Sequence, residues 1–265
     1  MVRVVAVVAS LGLSAAGAAA GSTFEGGPPG CDRGPSNAPS AARYHLDRVA
    51  ADWGVFCDVP PPRLGPNWAF GDVAAPSLDG QSLRLALTGG PADYGNAHFY
   101  RTFLPEPAAR DLVLTLWFRF EPTTCSNAGS PSTIQAIEFA ANKWQGGQRH
   151  EVAVQWRNVG DGAPEWRYWD PARLPGDAWV PLPVPLHHCL AGDTWHYLRL
   201  KGTIVGDTVR YDRLVVDAEA RDLSVVVPAA AAPGEPDRLG IAVQLDGNFR
   251  TDPYSVFVDQ VHFLR

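Results

Sequence analysis

The stretch Asp111-Leu112-Val113-Leu114-Thr115-Leu116-Trp117-Phe118-Arg119-Phe120 decides how the rest of the chain is read. Successive side chains of an extended strand point to opposite faces, so Leu112, Leu114, Leu116, Phe118 and Phe120 share one side while Thr115, Trp117 and Arg119 share the other. One face is core and the other is not. The same period of two recurs at Ser82 to Thr88, Ala97 to Phe103, Thr133 to Ala140, His150 to Arg157 and Thr194 to Thr203. It continues at Thr208 to Asp217, Leu223 to Val227, Arg238 to Asp246 and Tyr254 to Leu264, with Gly, Pro, Asp and Asn between the runs. Short alternating runs rich in β-branched and aromatic residues, with no sustained helical period, predict an all-β sandwich. Ala41 to Ala51 is the one segment with a short helical pattern.

Upstream, Arg3 precedes an apolar run from Val4 to Gly17, and Ala18-Ala19-Ala20 supplies the small residues of a cleavage site. Residues 1–20 are therefore expected to be a signal peptide. Residues 21–40, dominated by Gly, Pro and Ser, are expected to be a flexible linker, and 41–265 a single sandwich domain. No run reaches the ~20 apolar residues of a spanning helix, so an exported protein without membrane association, and a monomer, is expected. Only Lys143 and Lys201 are lysines among 22 basic residues, which with abundant Ala, Gly and Pro points to a GC-rich bacterial genome.

Four cysteines in an exported chain most simply form two bridges, with three connectivities open. Cys31 with Cys57 and Cys125 with Cys189 is the expected pairing, because the first pair flanks the amino-terminal segment and the second lies in turn-rich stretches. No cysteine pair has zinc-site spacing, and no cofactor is expected. Asp246-Gly247-Asn248, with Asp252 and Asp259 following, offers oxygen ligands suited to a structural calcium ion, although a plain turn explains the same residues. The net charge of −6 lacks the positive footprint of a nucleic-acid partner.

Alternation also nominates a polar face. Opposite the apolar sets lie His98, Tyr100, Trp117, Arg119, Glu138, Glu151, Gln155, Gln244 and Asp246. Amides and carboxylates bind sugar hydroxyls, and pyranose faces rest on aromatic rings, so this face suits an extracellular polysaccharide. Tyr100, Trp117, Glu138, Gln155, Gln244 and Asp246 are the candidate contacts. Trp144 joins them from the expected loop Asn142 to Gly147, either stacking on a sugar or plugging the sandwich edge. A second aromatic cluster, Trp166 to Asp170, is read as a short hairpin over the same end of the sheet, with either a packing or a binding role. If the chain is an enzyme, Glu138 and Glu151 are the candidate acid pair, at the ~5 Å used by retaining glycosidases. His98, Tyr100 and Arg119 would assist, as in a polysaccharide lyase. No serine-hydrolase, zinc-protease or phosphate-loop motif occurs.

Asp193-Thr194-Trp195-His196-Tyr197-Leu198-Arg199-Leu200, Val256-Phe257-Val258-Asp259-Gln260-Val261 and Gly80-Gln81-Ser82-Leu83-Arg84-Leu85 resemble strands of the concanavalin A-like lectin and glucanase superfamily. The resemblance spans residues 65 to 265. It implies a jelly-roll β-sandwich of two antiparallel sheets with glycans bound on the concave face. Two departures matter. The glucanases carry Glu-x-Asp-x-Glu, and Ile134-Gln135-Ala136-Ile137-Glu138 keeps one acid. Alginate-lyase relatives carry Arg-x-Glu-Leu and Gln-Ile-His, where this chain has Arg84-Leu85-Ala86-Leu87 and Gln135-Ala136-Ile137. Neither catalytic set transfers, which leaves a secreted polysaccharide-binding protein as the leading expectation, with a lyase or glycoside hydrolase second and a structural extracellular protein third.

Overall fold

The computed structural model describes residues 22–27, 31–57, 65–89, 95–121, 134–160, 162–186, 189–247 and 251–265. In chain order the strands are β1 (Thr23–Gly26), β2 (Trp53–Cys57), β3 (Asn67–Val73), β4 (Ser82–Gly89), β5 (Gly95–Phe103) and β6 (Asp111–Glu121). Next come β7 (Ile134–Gln145), β8 (Gln148–Arg157), β9 (Glu165–Trp169), β10 (Trp179–Pro181) and β11 (His196–Val205). The last are β12 (Thr208–Val216), β13 (Glu219–Pro228), β14 (Ala230–Ala231), β15 (Arg238–Gly247) and β16 (Tyr254–Leu264).

Two antiparallel sheets form a jelly-roll sandwich. The first has the order β1-β3-β4-β16-β6-β11-β12-β13; the second has β10-β9-β8-β7-β15-β5-β2, with β14 on β8. The apolar alternation of β6 fixes which side faces inward. Leu112, Leu114, Leu116, Phe118 and Phe120 are each at most 1% exposed, and burying each such side chain contributes about 1.5–3 kcal/mol. Phe118 meets Phe139 of the other sheet with ring centroids 4.9 Å apart, and Phe120 meets Trp156 at 5.3 Å. One apolar cluster joins residues from Leu46 to Phe263, so β2 and β16 close on the same core.

Three expectations change. Thr23–Gly26 pairs with β3, Arg33 bridges Val55, and Arg33 caps the Phe24 ring at 3.7 Å, so these parts of the stretch read as linker are edge structure. Its few apolar and extended residues need only an existing strand to pair with, and β3 supplies it. Ala41 to Ala51 forms no α-helix; Leu46–Arg48 and Ala50–Asp52 are single 3-10 turns held by Trp53 Nε1 and Arg101 donating to Leu46 O. Asn142 to Gln145 continues β7 rather than forming a loop, because Gly146 and Gly147, at φ 59° and 75°, make the whole two-residue turn.

Cys31 and Cys57 are bonded, with Cα atoms 5.8 Å apart, and Cys189 is also in a disulfide. Cys125, expected to partner it, lies outside the described residues, as do residues 1–20 and the proposed cleavage site. No helix among the described residues is long and apolar enough to cross a membrane.

Candidate functional site

The outer face of the second sheet carries an open groove of about 1560 Å³. Its floor follows directly from strand register. Phe56, His98, Gln244, Glu138, Gln155 and Arg167 stand opposite one another on β2, β5, β15, β7, β8 and β9, forming one polar rank across six strands. Two residues along each strand, Gly54, Tyr100, Ala242, Ala140 and Ala153 form a second rank. Three alanines beside a rank of amides and a carboxyl give a low apolar strip flanked by hydrogen-bonding groups. Trp144, Trp169 and Trp179 line the rim, with Trp169 and Trp179 in edge contact at 5.2 Å. Arg238 lies over the Trp144 ring at 4.2 Å.

At the centre, Gln155 Nε2 donates to Glu138 Oε1 at 2.7 Å and Gln244 Nε2 donates to Asp246 Oδ1 at 2.7 Å. Glu138 and Asp246 also hydrogen-bond to each other. Burial, then the adjacent Asp246 charge, pushes the Glu138 carboxyl well above the usual range, with the Gln155 bond opposing. Glu151 is raised by burial, offset by Arg149, which it meets at 2.9 Å. His98, stacked on Phe56 at 4.4 Å, is pushed down to about 3 by burial and by Arg149, so its ring is neutral. Tyr100 is raised by burial and leans against the bare face of Gly54, where a Cβ would meet the phenol carbon at 2.6 Å.

Of the residues nominated from sequence, His98, Tyr100, Glu138, Trp144, Glu151, Gln155, Gln244 and Asp246 line this groove. Trp117 and Arg119 do not. β6 belongs to the other sheet, and Trp117 packs on Tyr197 at 5.3 Å while Arg119 pairs with Glu121 on the opposite outer surface. Alternation tells inside from outside but not which of two sheets a strand joins. The proposed calcium ligands are also divided. Asp246 lies on β15, whereas Asp259 on β16 accepts from Ser77 Oγ and Leu78 N; Asn248 lies outside the described residues. No acidic or metal-ligating trio gathers among the described residues.

Glu138 and Glu151 are on adjacent strands but out of step. Glu138 faces Gln155, and Glu151 faces Asn142, four residues along β7. At about 3.4 Å per residue their backbone positions are offset by roughly 13 Å along the strands, so register does not set them side by side as the expected ~5 Å pair, although the Glu151 charge still acts on the Glu138 carboxyl. Reading from sequence missed Asn96, Arg149, Arg157, Arg167, Trp179 and Arg238, which also line the groove. For the three β-strand arginines from 149 to 167 the same alternation that selected Gln155 was a usable signal.

No protein-family model matches the chain, and no curated protein matches its sequence. Among solved structures, an endo-β-1,4-glucuronan lyase from the fungus Trichoderma reesei superposes with a TM-score of 0.45 and 14% identity, over 73% of this chain and 85% of that one. The alginate lyase Aly36B gives 0.47 and 10% identity, over 71% and 81%. The lectin UEA-II, complexed with galactose, gives 0.41 and 8%, over 73% and 90%. The jelly-roll description rests on this chain's own two antiparallel sheets and their strand order.

Proposed function

We propose that the protein is a secreted glycan-binding sandwich that holds a segment of extracellular polysaccharide in the groove over its second sheet. The observation that carries this reading is the pair of parallel ranks, one of amides, carboxyl and arginine, one of alanines ending at Tyr100, rimmed by three tryptophans. A chain of sugar rings has the same two-sided chemistry, with hydroxyl edges for the polar rank and C–H faces for the apolar strip and the indoles. The Cys31–Cys57 bridge suits the oxidising compartment that such a partner occupies.

Binding is favoured over hydrolysis by carboxyl spacing. Glu138 and Glu151 stand four residues out of register, unlike the close pair of a retaining enzyme, and Glu138 and Asp246, in direct hydrogen bond, are closer than the ~5 Å that retaining enzymes use or the ~6.5–9.5 Å that inverting ones need. The test is incubation of the purified protein with a panel of polysaccharides, following retention together with release of reducing ends and of unsaturated uronate absorbance. Retention without release is expected. Release that vanishes in Tyr100→Phe would instead make the groove a lyase site, and absence of both would refute glycan binding.

A further inference from the structure

The groove's own hydrogen-bonding inventory narrows the ligand class, on the footing that the groove is a glycan site. Its buried amides are short of donors, not of acceptors. Gln244 is 5% exposed; its Nε2 is committed to Asp246, which orients the amide and leaves Oε1 without a partner among the described residues. Asn142 Oδ1 and Asn96 Oδ1, in side chains 5% and 7% exposed on the neighbouring strands β7 and β5, are in the same condition. Turning any of these oxygens toward the groove sacrifices no bond that it makes, and each is satisfied only by an N–H or O–H.

Four of the five arginines that line the groove pair with carboxylates, Arg101 with Asp52 among them. Arg149 is held by Glu151 at 2.9 Å, Arg167 by Glu165 at 2.6 Å and Arg238 by Glu235 at 2.7 Å. Between them sits the hydrogen-bonded Glu138–Asp246 carboxyl pair. A uronate carboxylate laid beside the Gln244, Asn142 and Asn96 oxygens would set acceptor against acceptor and would lie against the central carboxyl pair, whereas the unpartnered donors of the groove, Trp169 Nε1 and Arg238 Nε, belong to other lining residues. A sugar hydroxyl donates to the amide oxygens and can donate to or accept from the carboxyl pair.

We infer that the groove selects an uncharged, hydroxyl-rich polysaccharide and discriminates against polyuronates. The residues that would enforce this are Gln244, Asn142 and Asn96 as acceptors and Glu138 with Asp246 as the repelling pair.

Affinity electrophoresis and calorimetry with galactomannan, xyloglucan and a β-1,3-glucan, against alginate and polygalacturonate, test it directly at low and moderate salt. Retention by at least one neutral polymer, at least tenfold tighter than by either polyuronate and insensitive to salt, is the expected result. Gln244→Ala, which removes the acceptor, should weaken that binding. Tighter, salt-sensitive binding of alginate or polygalacturonate that is lost in Arg167→Gln would overturn the inference while leaving the groove as a glycan site. Binding of neither class would overturn both.

Discussion

The side chains of Glu138 and Asp246 hydrogen-bond diagonally across β7 and β15, two positions out of direct register, and each is gripped on its far side by one glutamine amide. Because the folded state raises the Glu138 carboxyl well above the 4.5 of an exposed glutamate, it keeps a proton that the unfolded chain gives up. This contribution to stability is full at low pH, below the unfolded value, and is lost as pH rises toward the folded one. Glu138→Gln removes the titration while retaining the shape. The melting temperature of the variant relative to the parent should therefore increase between pH 4 and pH 9; a difference that stays constant with pH would exclude that retained proton.

Asp47 offers a second titration. Its Oδ1 accepts from Val261 N at 2.7 Å, yet burial pushes the carboxyl up to about 6. Native stability should consequently fall between about pH 4 and pH 6 as the group ionises inside the protein. Carbon-13 NMR of the Asp47 carboxyl should show a midpoint near pH 6, and a midpoint near 4 would place this side chain in water.

Two tryptophans separate the faces of the sandwich. Trp144 stands at the end of β7 over Gly240, where a Cβ would meet its ring at 3.0 Å, and is stacked by Arg238. Trp117 lies on the opposite surface. Trp144→Ala should weaken glycan binding roughly tenfold, about 1.4 kcal/mol, and Trp117→Ala should leave it unchanged. Equal losses in titration calorimetry would mean that the ligand is not confined to the second sheet.

The Cys31–Cys57 bridge holds Asp32 and Pro35, both groove-lining, against β2. Replacing both cysteines by serine reopens a loop of sequence separation 26 and should cost about 3 kcal/mol in urea unfolding. Affinity should fall as well, because one end of the groove loses its anchor. A double variant with full affinity would show that this end makes no contact with the ligand.

Most of the sandwich was legible because core and solvent faces alternate with the backbone pleat. Leu112 through Phe120 announce the inner face of β6, and Glu138, Gln155 and Gln244 announce a polar one. Sheet membership was not legible. The chain passes from the second sheet at β5 to the first at β6 and back at β7, so consecutive strands suggested a neighbourhood for Trp117 and Arg119 that the topology breaks. Distance along a sheet was also hidden. Glu138 and Glu151 look adjacent on neighbouring strands, but the Gly146-Gly147 turn fixes a register that sets Glu138 against Gln155 and brings Asp246, distant in sequence, to its side. The edge strand Thr23–Gly26 escaped notice because four residues, TFEG with burial alternating only between exposed and intermediate, are too short a run to establish a period.

Ala140 lies mid-groove, between Ala242 and Ala153 in the small-residue rank, with its side chain directed away from the core. Calorimetric titration of Ala140→Phe with a neutral polysaccharide retained by the parent protein, run beside Trp117→Ala and after matched melting curves, is the most direct test of the groove as the binding site. Loss of binding in a variant that still melts like the parent, with Trp117→Ala unaffected, is the expected result. Unchanged affinity in folded Ala140→Phe would contradict it and move the ligand to another surface.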